Sequence, residues 1–250
     1  MKKHKIVFWG VVIILVALVI AAIVVASTFL GDIVKKGVET AGPQITKVSI
    51  KLDEVHLSLL AGSATVKGLV VGNPEGYKTP QAISAGTIDV GVNPMSVLSD
   101  KIVLRSLRIE SPEITFEGGL GGNNLSKIMD NVNAATHAAA QNNRPASPNK
   151  TNQAQSSRKF EADDILITGA RVHVLLTELG GKEMTLPLPP IHLTNLGMNE
   201  DGITATELTR SVLDAIVTDT VKTVARANIA KSVGNGANKI TKQIGNLLGK

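Results

Sequence analysis

A chain of 250 residues without a cysteine has no disulfides, no thiolate metal site and no cysteine nucleophile. Its formal charge of +5 misleads, because removing the Lys2, Lys3 and Lys5 cluster from 26 Lys and Arg leaves 23, against 21 Asp and Glu. With no basic surplus elsewhere, and one Trp, one Tyr and four Phe as its whole stock of aromatic rings, nucleic acid is excluded as a partner.

Residues 1–5 form a basic n-region, and residues 6–30, IVFWGVVIILVALVIAAIVVASTFL, carry no charge. As a helix this stretch is about 37 Å long, enough to cross a hydrocarbon core of about 30 Å. Trp9 sits near its start, where an interfacial aromatic belongs. A cleaved signal ending near Val24-Val25-Ala26 is the competing reading, but the run exceeds a signal core of roughly 7–15 residues. A buried soluble helix is the other alternative, and it seldom runs this long and apolar behind a lysine cluster. An uncleaved transmembrane anchor is therefore expected. The lysines before it are packed together while Lys35, Lys36 and Lys47 are spread out, which places the N-terminus in the cytoplasm and the remainder outside.

Residues 31–45 set Ile33, Val34 and Val38 against Lys35, Lys36 and Glu39, predicting a stalk helix at the membrane surface, stopped by Gly42-Pro43. Residues 46–140 form a first β block, where the period changes to two: Val48, Ile50 and Leu52, then Val55, Leu57 and Leu59, alternate with polar residues. Further strands follow through Val71, over 83–92, 101–110 and 113–117. They are separated by the turn cluster GNPEGY (72–77) and by Asn93-Pro94, an N-cap and first helical position. The glycine run 118–122 lacks the Gly-Lys-Ser/Thr of a phosphate loop and reads as a turn, with Asn123 or Asn124 capping a helix over 125–140. Residues 141–158, rich in Asn, Gln, Ser and Pro, read as a disordered loop.

Residues 159–197 form a second β block with prolines suited to an edge. Within it ILITGARVHV echoes LRIESPEITF at a constant offset, Leu107, Ile109, Ile114 and Phe116 matching Ile165, Ile167, Val172 and Val174, and each copy reads as strand, tight turn, strand. Residues 198–250 are a C-terminal amphipathic helix and tail, with Leu208, Val212, Ile216 and Val224 on one stripe. The basic segment 239–248 either packs on the sheet, the more ordinary expectation, or touches a membrane.

Chemistry is hard to find. His4, His56, His137, His173 and His192 lie in separate elements without ligand spacing, and Asp163-Asp164 and Glu200-Asp201 sit at strand starts or turns. Ser63 lies outside any Gly-x-Ser-x-Gly elbow. No catalytic residue, no cofactor and no metal is expected, and the chain does not read as an enzyme.

The sheet instead offers an aliphatic face that something must cover: a helix, a second sheet or acyl chains. Its candidate lining is Val66, Leu69, Val71, Ile88, Val90, Leu107, Ile109, Ile114, Ile165, Ile167 and Val172. A dry core closed by the C-terminal helix and an open, lipid-facing groove are both compatible with this pattern.

The segments LSLLAGSATVKGLVVGNPEGY (57–77), VGVNPMSVLSDKIVLRSLRIESPEITFE (90–117) and GGNNLSKIMDNV (121–132), behind an N-terminal span, resemble the AsmA-like family of bacterial envelope proteins. The later ILITGARVHV resembles a repeated unit of that family, and GNPEGY is similar also to a late-embryogenesis-like β-sandwich. The AsmA resemblance implies a mostly β fold with helices, a curved antiparallel sheet forming a groove or sandwich behind a single inner-membrane helix. It implies a periplasmic domain acting in phospholipid handling, lipid transport or outer-membrane biogenesis. Implied partners are the inner membrane, phospholipid acyl chains and other envelope proteins. The alternative is a membrane-tethered interaction module with a closed β core. About ten strands at roughly 5 Å each would span about 50 Å, short for a bridge across the envelope.

Overall fold

The computed structural model describes residues 29–119, 122–142, 158–176, 183–199 and 201–248. The expected transmembrane helix over 6–30 and the loop over 141–158 fall almost wholly outside them. Among the described residues no helix is long and apolar enough to cross a membrane.

A first helix, α1, covers residues 29–46. It does not lie apart as a stalk and does not stop at Gly42-Pro43. Gly31 and Gly42 let it press against the sheet, since a Cβ there would come within 2.2 Å of the Val55 carbonyl oxygen and 2.5 Å of Ile50 Cδ1. The helix ends instead at Lys47, whose φ of 58° breaks the helical path. Lys35 Nζ donates to the Asp53 carbonyl at 2.8 Å, and the Leu52 amide donates to Glu39 at 2.9 Å.

Then come β1 (Ile50–Lys51), β2 (Glu54–Ser58), β3 (Ser63–Gly72), β4 (Gln81–Val92), a 3₁₀ turn (Pro94–Leu98), β5 (Lys101–Glu110), β6 (Glu113–Gly119) and β7 (Gly122–Asn123). These lead into α2 (Asn124–Asn142), β8 (Lys159–Thr168), β9 (Arg171–Leu176), β10 (Glu183–Pro187), β11 (Ile191–Leu196) and α3 (Ala205–Leu248). The first and second β blocks join in one eleven-stranded sheet.

Register reduces ten of these strands to six long rows. β5 and β6 share one antiparallel register along β4 from Gly91 to Ile83, with Ile88 opposite Ile109 and Ile83 opposite Ile114, and the register shifts only between Gly91 and Val92. β8 and β9 run parallel to β5 and β6, Leu107 beside Ile165 and Ile114 beside Val172. β10 and β11 in turn follow β9 and β8, and β1 and β2 follow β3. The sequence echo is thus a side-by-side pairing of two copies, each an extended strand with one break. The copies are not hairpins, and the sheet is mixed, not wholly antiparallel. Parallel neighbours need a crossover, and α2 with the segment after it supplies that connection. Six rows span about 24 Å, half the expected reach.

Four of the six rows break at the same level, and β3 and β4 cross it without interruption at Gly68 and Gly86. Following the register across the sheet, this level passes through Asp53, Gly68, Gly86, Ser111, Gly169 and Pro189. Gly68, Ser111 and Gly169 have φ of 62°, 50° and 66°. One residue out of the extended conformation turns the following side chains to the other parity. Ile109 and Ile114 therefore share a face, as do Ile167 and Val172, and Val66 and Leu69. The sheet is creased along this line, and its inner face stays apolar on both sides.

On one side of the crease the inner face is sealed. Ile114, Phe116, Val172 and Val174 pack with Leu125, Ile128 and Val132 of α2 and with Leu213, Ile216 and Val224 of α3 in one core cluster. The helix after residue 204 begins with a capping box, the Glu207 amide donating to Thr204 Oγ1 at 3.2 Å and the Thr204 amide to Glu207 at 2.7 Å. Its backbone runs unbroken to Leu248, so 239–248 is the end of this one helix, not a separate segment.

Candidate functional site

Where the crease meets the helices the inner face is not filled. A cavity of about 320 Å³ is bounded by the sheet, by Val38 and Thr46 of α1, by Ile128 of α2, and by Leu208, Thr209, Val212, Leu213 and Ile216 of α3. Its floor is Ile50, Leu69, Val71, Ile83, Ala85, Leu107, Ile109, Pro112, Ile114 and Ile167. Among the described lining residues only Thr46 and Thr209 are polar, and the Thr46 hydroxyl donates to the Gly42 carbonyl at 2.9 Å. A pocket of this size and lining suits an apolar ligand and offers almost nothing to orient a polar one.

Six of the eleven residues singled out in the sequence meet here: Leu69, Val71, Leu107, Ile109, Ile114 and Ile167. Val66, Ile88 and Val90 belong to the same inner face by register but lie outside the cavity, Ile88 buried and the two valines half-buried. Ile165 and Val172 are fully enclosed. The floor continues from the cavity towards the end of the sheet formed by the β2–β3 and β4–β5 turns, through half-buried Leu57, Ala64, Val90, Leu107 and Leu193. On α1, Leu30, Val34 and Val38 recur at four-residue spacing, 37%, 41% and 39% exposed, and make an apolar track whose last member lines the cavity.

Ile83 and Ala85 were missed because plain alternation from Ile88 and Val90 puts them on the opposite face. Glycine at 86 is the one signal that parity changes there. The residues contributed by α1 and α3 could not be assigned from periodicity, which tells that a helix has an apolar stripe but not what it covers.

The outer face carries the polar groups. Thr65 donates to Asp89 at 2.8 Å, Arg108 pairs with Asp164, and His192 shares that carboxylate. Hydrogen bonds from His192 and then Arg108 hold the Asp164 carboxyl below the usual range. Just beyond the crease, Arg171 Nε donates to Glu113 Oε1 at 2.9 Å, with His173 Nε2 2.6 Å from Oε2. Glu113 is lowered chiefly by the Arg171 bond. These are clasps between neighbouring rows on a solvated surface. Among the described residues no group of three His, Asp or Glu could hold a metal.

At the sealed end, buried Asn124 replaces a strand. Its Nδ2 donates to the Thr115 carbonyl at 2.8 Å and to Asn73 Oδ1 at 2.7 Å, while its Oδ1 accepts from the Glu117 amide at 2.9 Å. Asn123 caps α2, accepting from the Ser126 amide at 2.9 Å. Burial pushes the Glu117 carboxyl up, but bonds from the Thr79 hydroxyl and the Lys78 and Thr79 amides more than offset it and leave it lowered.

Among known proteins, no curated protein and no solved structure matches the chain. The model of the AsmA family matches residues 1–182 of the 250, reaching through α1, the two parallel copies and the floor of the cavity. The chain belongs to the AsmA family.

Proposed function

We propose that the chain is a non-catalytic, membrane-anchored protein of the bacterial envelope whose creased sheet takes phospholipid acyl chains, in phospholipid handling or outer-membrane biogenesis. It is a single-pass inner-membrane protein with its folded part in the periplasm. The observation that carries this reading is the cavity: almost purely aliphatic, continuous with a half-buried apolar floor, and reached along Leu30, Val34 and Val38. A sheet built only to be stable gains from filling such space, at about 25 cal/mol per Å² of apolar surface removed from water. Family membership and the uncharged stretch 6–30 support the envelope setting.

The sealed core on the other side of the crease favours the second reading, a tethered interaction module that presents an edge strand to another envelope protein. Native mass spectrometry of the full chain, released from membranes in mild detergent, separates the two. Bound phospholipid that is lost in Leu107→Asp and Ile109→Asp, with circular dichroism unchanged, supports acyl-chain binding. A folded wild-type chain without lipid favours the interaction module.

A further inference from the structure

The large apolar side chains left exposed among the described residues gather in two places. One is the start of α1, with Phe29 66% and Ile33 64% exposed beside Leu30, Val34 and Val38. The other is a rim at one end of the sheet. Leu60 (74% exposed) lies in the β2–β3 turn, Met95 (78%) and Leu98 (89%) in the 3₁₀ turn between β4 and β5, and Met198 (56%) just after β11. Register brings these turns together: Ser58 is opposite Ser63, Ser63 opposite Gly91, Val92 opposite Leu104, Lys101 beside Lys159, and Ala162 opposite Leu196. The Val92 amide ties the first two turns by donating to the Gly62 carbonyl at 2.7 Å. The opposite end of the sheet, with the 73–80 loop, exposes no large apolar side chain among the described residues.

The direction of α1 says what covers the rim. Gly42 lies against Ile50, Glu39 against Leu52, Lys35 against Asp53 and Gly31 against Val55, so α1 runs antiparallel to β1 and β2 with its N-terminus pointing towards the rim. From Val55 to Ser58, the end of β2, the chain advances about 10 Å, at roughly 3.3 Å per residue, and Leu60 lies in the turn beyond. The residues that precede α1, 6–28, carry no charge at all.

We propose that the rim of Leu60, Met95, Leu98 and Met198 rests in the surface of the same bilayer that receives the uncharged N-terminal stretch, so that the end of the sheet towards which the apolar floor runs faces lipid. Single exposed apolar residues are ordinary on a soluble surface, but four on adjoining turns, at the end towards which the N-terminus of α1 is directed, form a patch that water would not favour. Asp100, Asp201 and Glu161 lie at this end together with Arg158, Lys101 and Lys159, Lys101 pairing with Glu161 at 2.6 Å, so the charges balance and do not draw the rim to a membrane. The contact is apolar and insensitive to salt.

Tryptophan quenching tests the contact. In full-length protein with Trp9→Phe, which removes the one native tryptophan, single tryptophans are placed by Leu60→Trp, Leu98→Trp or, at the far end, Glu75→Trp. The proteins are reconstituted into phosphatidylcholine vesicles with or without brominated acyl chains. The rim tryptophans lose most of their emission and are blue-shifted, with no change at high salt, while the Glu75→Trp protein is unaffected. Equal quenching at both ends, or none at the rim, overturns the proposal. Neither outcome depends on whether the cavity holds lipid, so this contact and acyl-chain binding stand or fall separately.

Discussion

Ser111 and Gly169 lie side by side in neighbouring parallel rows, and both have left-handed backbone, with φ of 50° and 66°. The ladder does not lapse between them: the Ser111 amide donates to the Thr168 carbonyl at 2.7 Å and the Arg171 amide to the Pro112 carbonyl at 3.0 Å. Each strand therefore reverses the parity of its side chains without losing its neighbour. Without that reversal Ile114 and Val172 would face solvent on the outer side, and the apolar floor would end at the crease.

Replacing Gly169 tests the crease. A Cβ at this position would meet Ser111 Oγ at 2.9 Å, and the left-handed conformation costs an L residue about 1–2 kcal/mol. Gly169→Ala should lower stability by about that much, and Gly169→Val by more, in thermal unfolding followed by circular dichroism. Ser111→Gly should be neutral or gain less than about 1 kcal/mol, because relieved strain is set against backbone entropy.

This crease also marks the limit of what the sequence discloses. Alternation identified the strands, and the echo between LRIESPEITF and ILITGARVHV was visible. Two breaks at matching positions suit a pair of hairpins as well as a pair of bent strands, and only cross-strand pairing decides between them. The six cavity residues found in advance are aliphatic positions flanking the breaks. Ile83 and Ala85 were hidden by the parity change, and Leu208, Thr209 and Val212 by the absence of any local signal for where α3 docks.

Asn124 should be hard to replace. Asn124→Ala leaves the Thr115 carbonyl and the Glu117 amide without their partner in a buried setting. A loss of roughly 2–6 kcal/mol is expected, at about 1–3 kcal/mol for each of the two orphaned groups. Asn124→Asp should fare little better, since it cannot donate to both Thr115 and Asn73. Chemical denaturation of each variant measures the loss.

The Glu113 clasp should show itself in acid. Its carboxyl is held below the usual range in the folded protein, chiefly by Arg171. The stabilisation is therefore fully present above the unfolded value of about 4.3 and fades as pH falls through the lower folded value. The melting-temperature gap between wild type and Glu113→Gln should close as pH falls below about 4.3. A gap independent of pH would show that the clasp contributes packing, not charge.

Thr220 offers a gain. Its hydroxyl is wholly buried and has no hydrogen-bond partner among the described residues. Thr220→Val removes the orphan at nearly equal volume and should raise stability by about 1 kcal/mol, readable as a higher melting temperature. A lower one would mean that the hydroxyl is satisfied in solution.

The most direct measurement on the cavity is photocrosslinking in native membranes. A benzophenone side chain is introduced at Leu107 or Ile109 on the apolar floor, or at Thr65 on the outer face, and the adducts are weighed by mass spectrometry. Phospholipid adducts at Leu107 and Ile109 with none at Thr65 are the predicted result. A folded protein that yields no lipid adduct at either floor position would contradict acyl-chain binding in the crease.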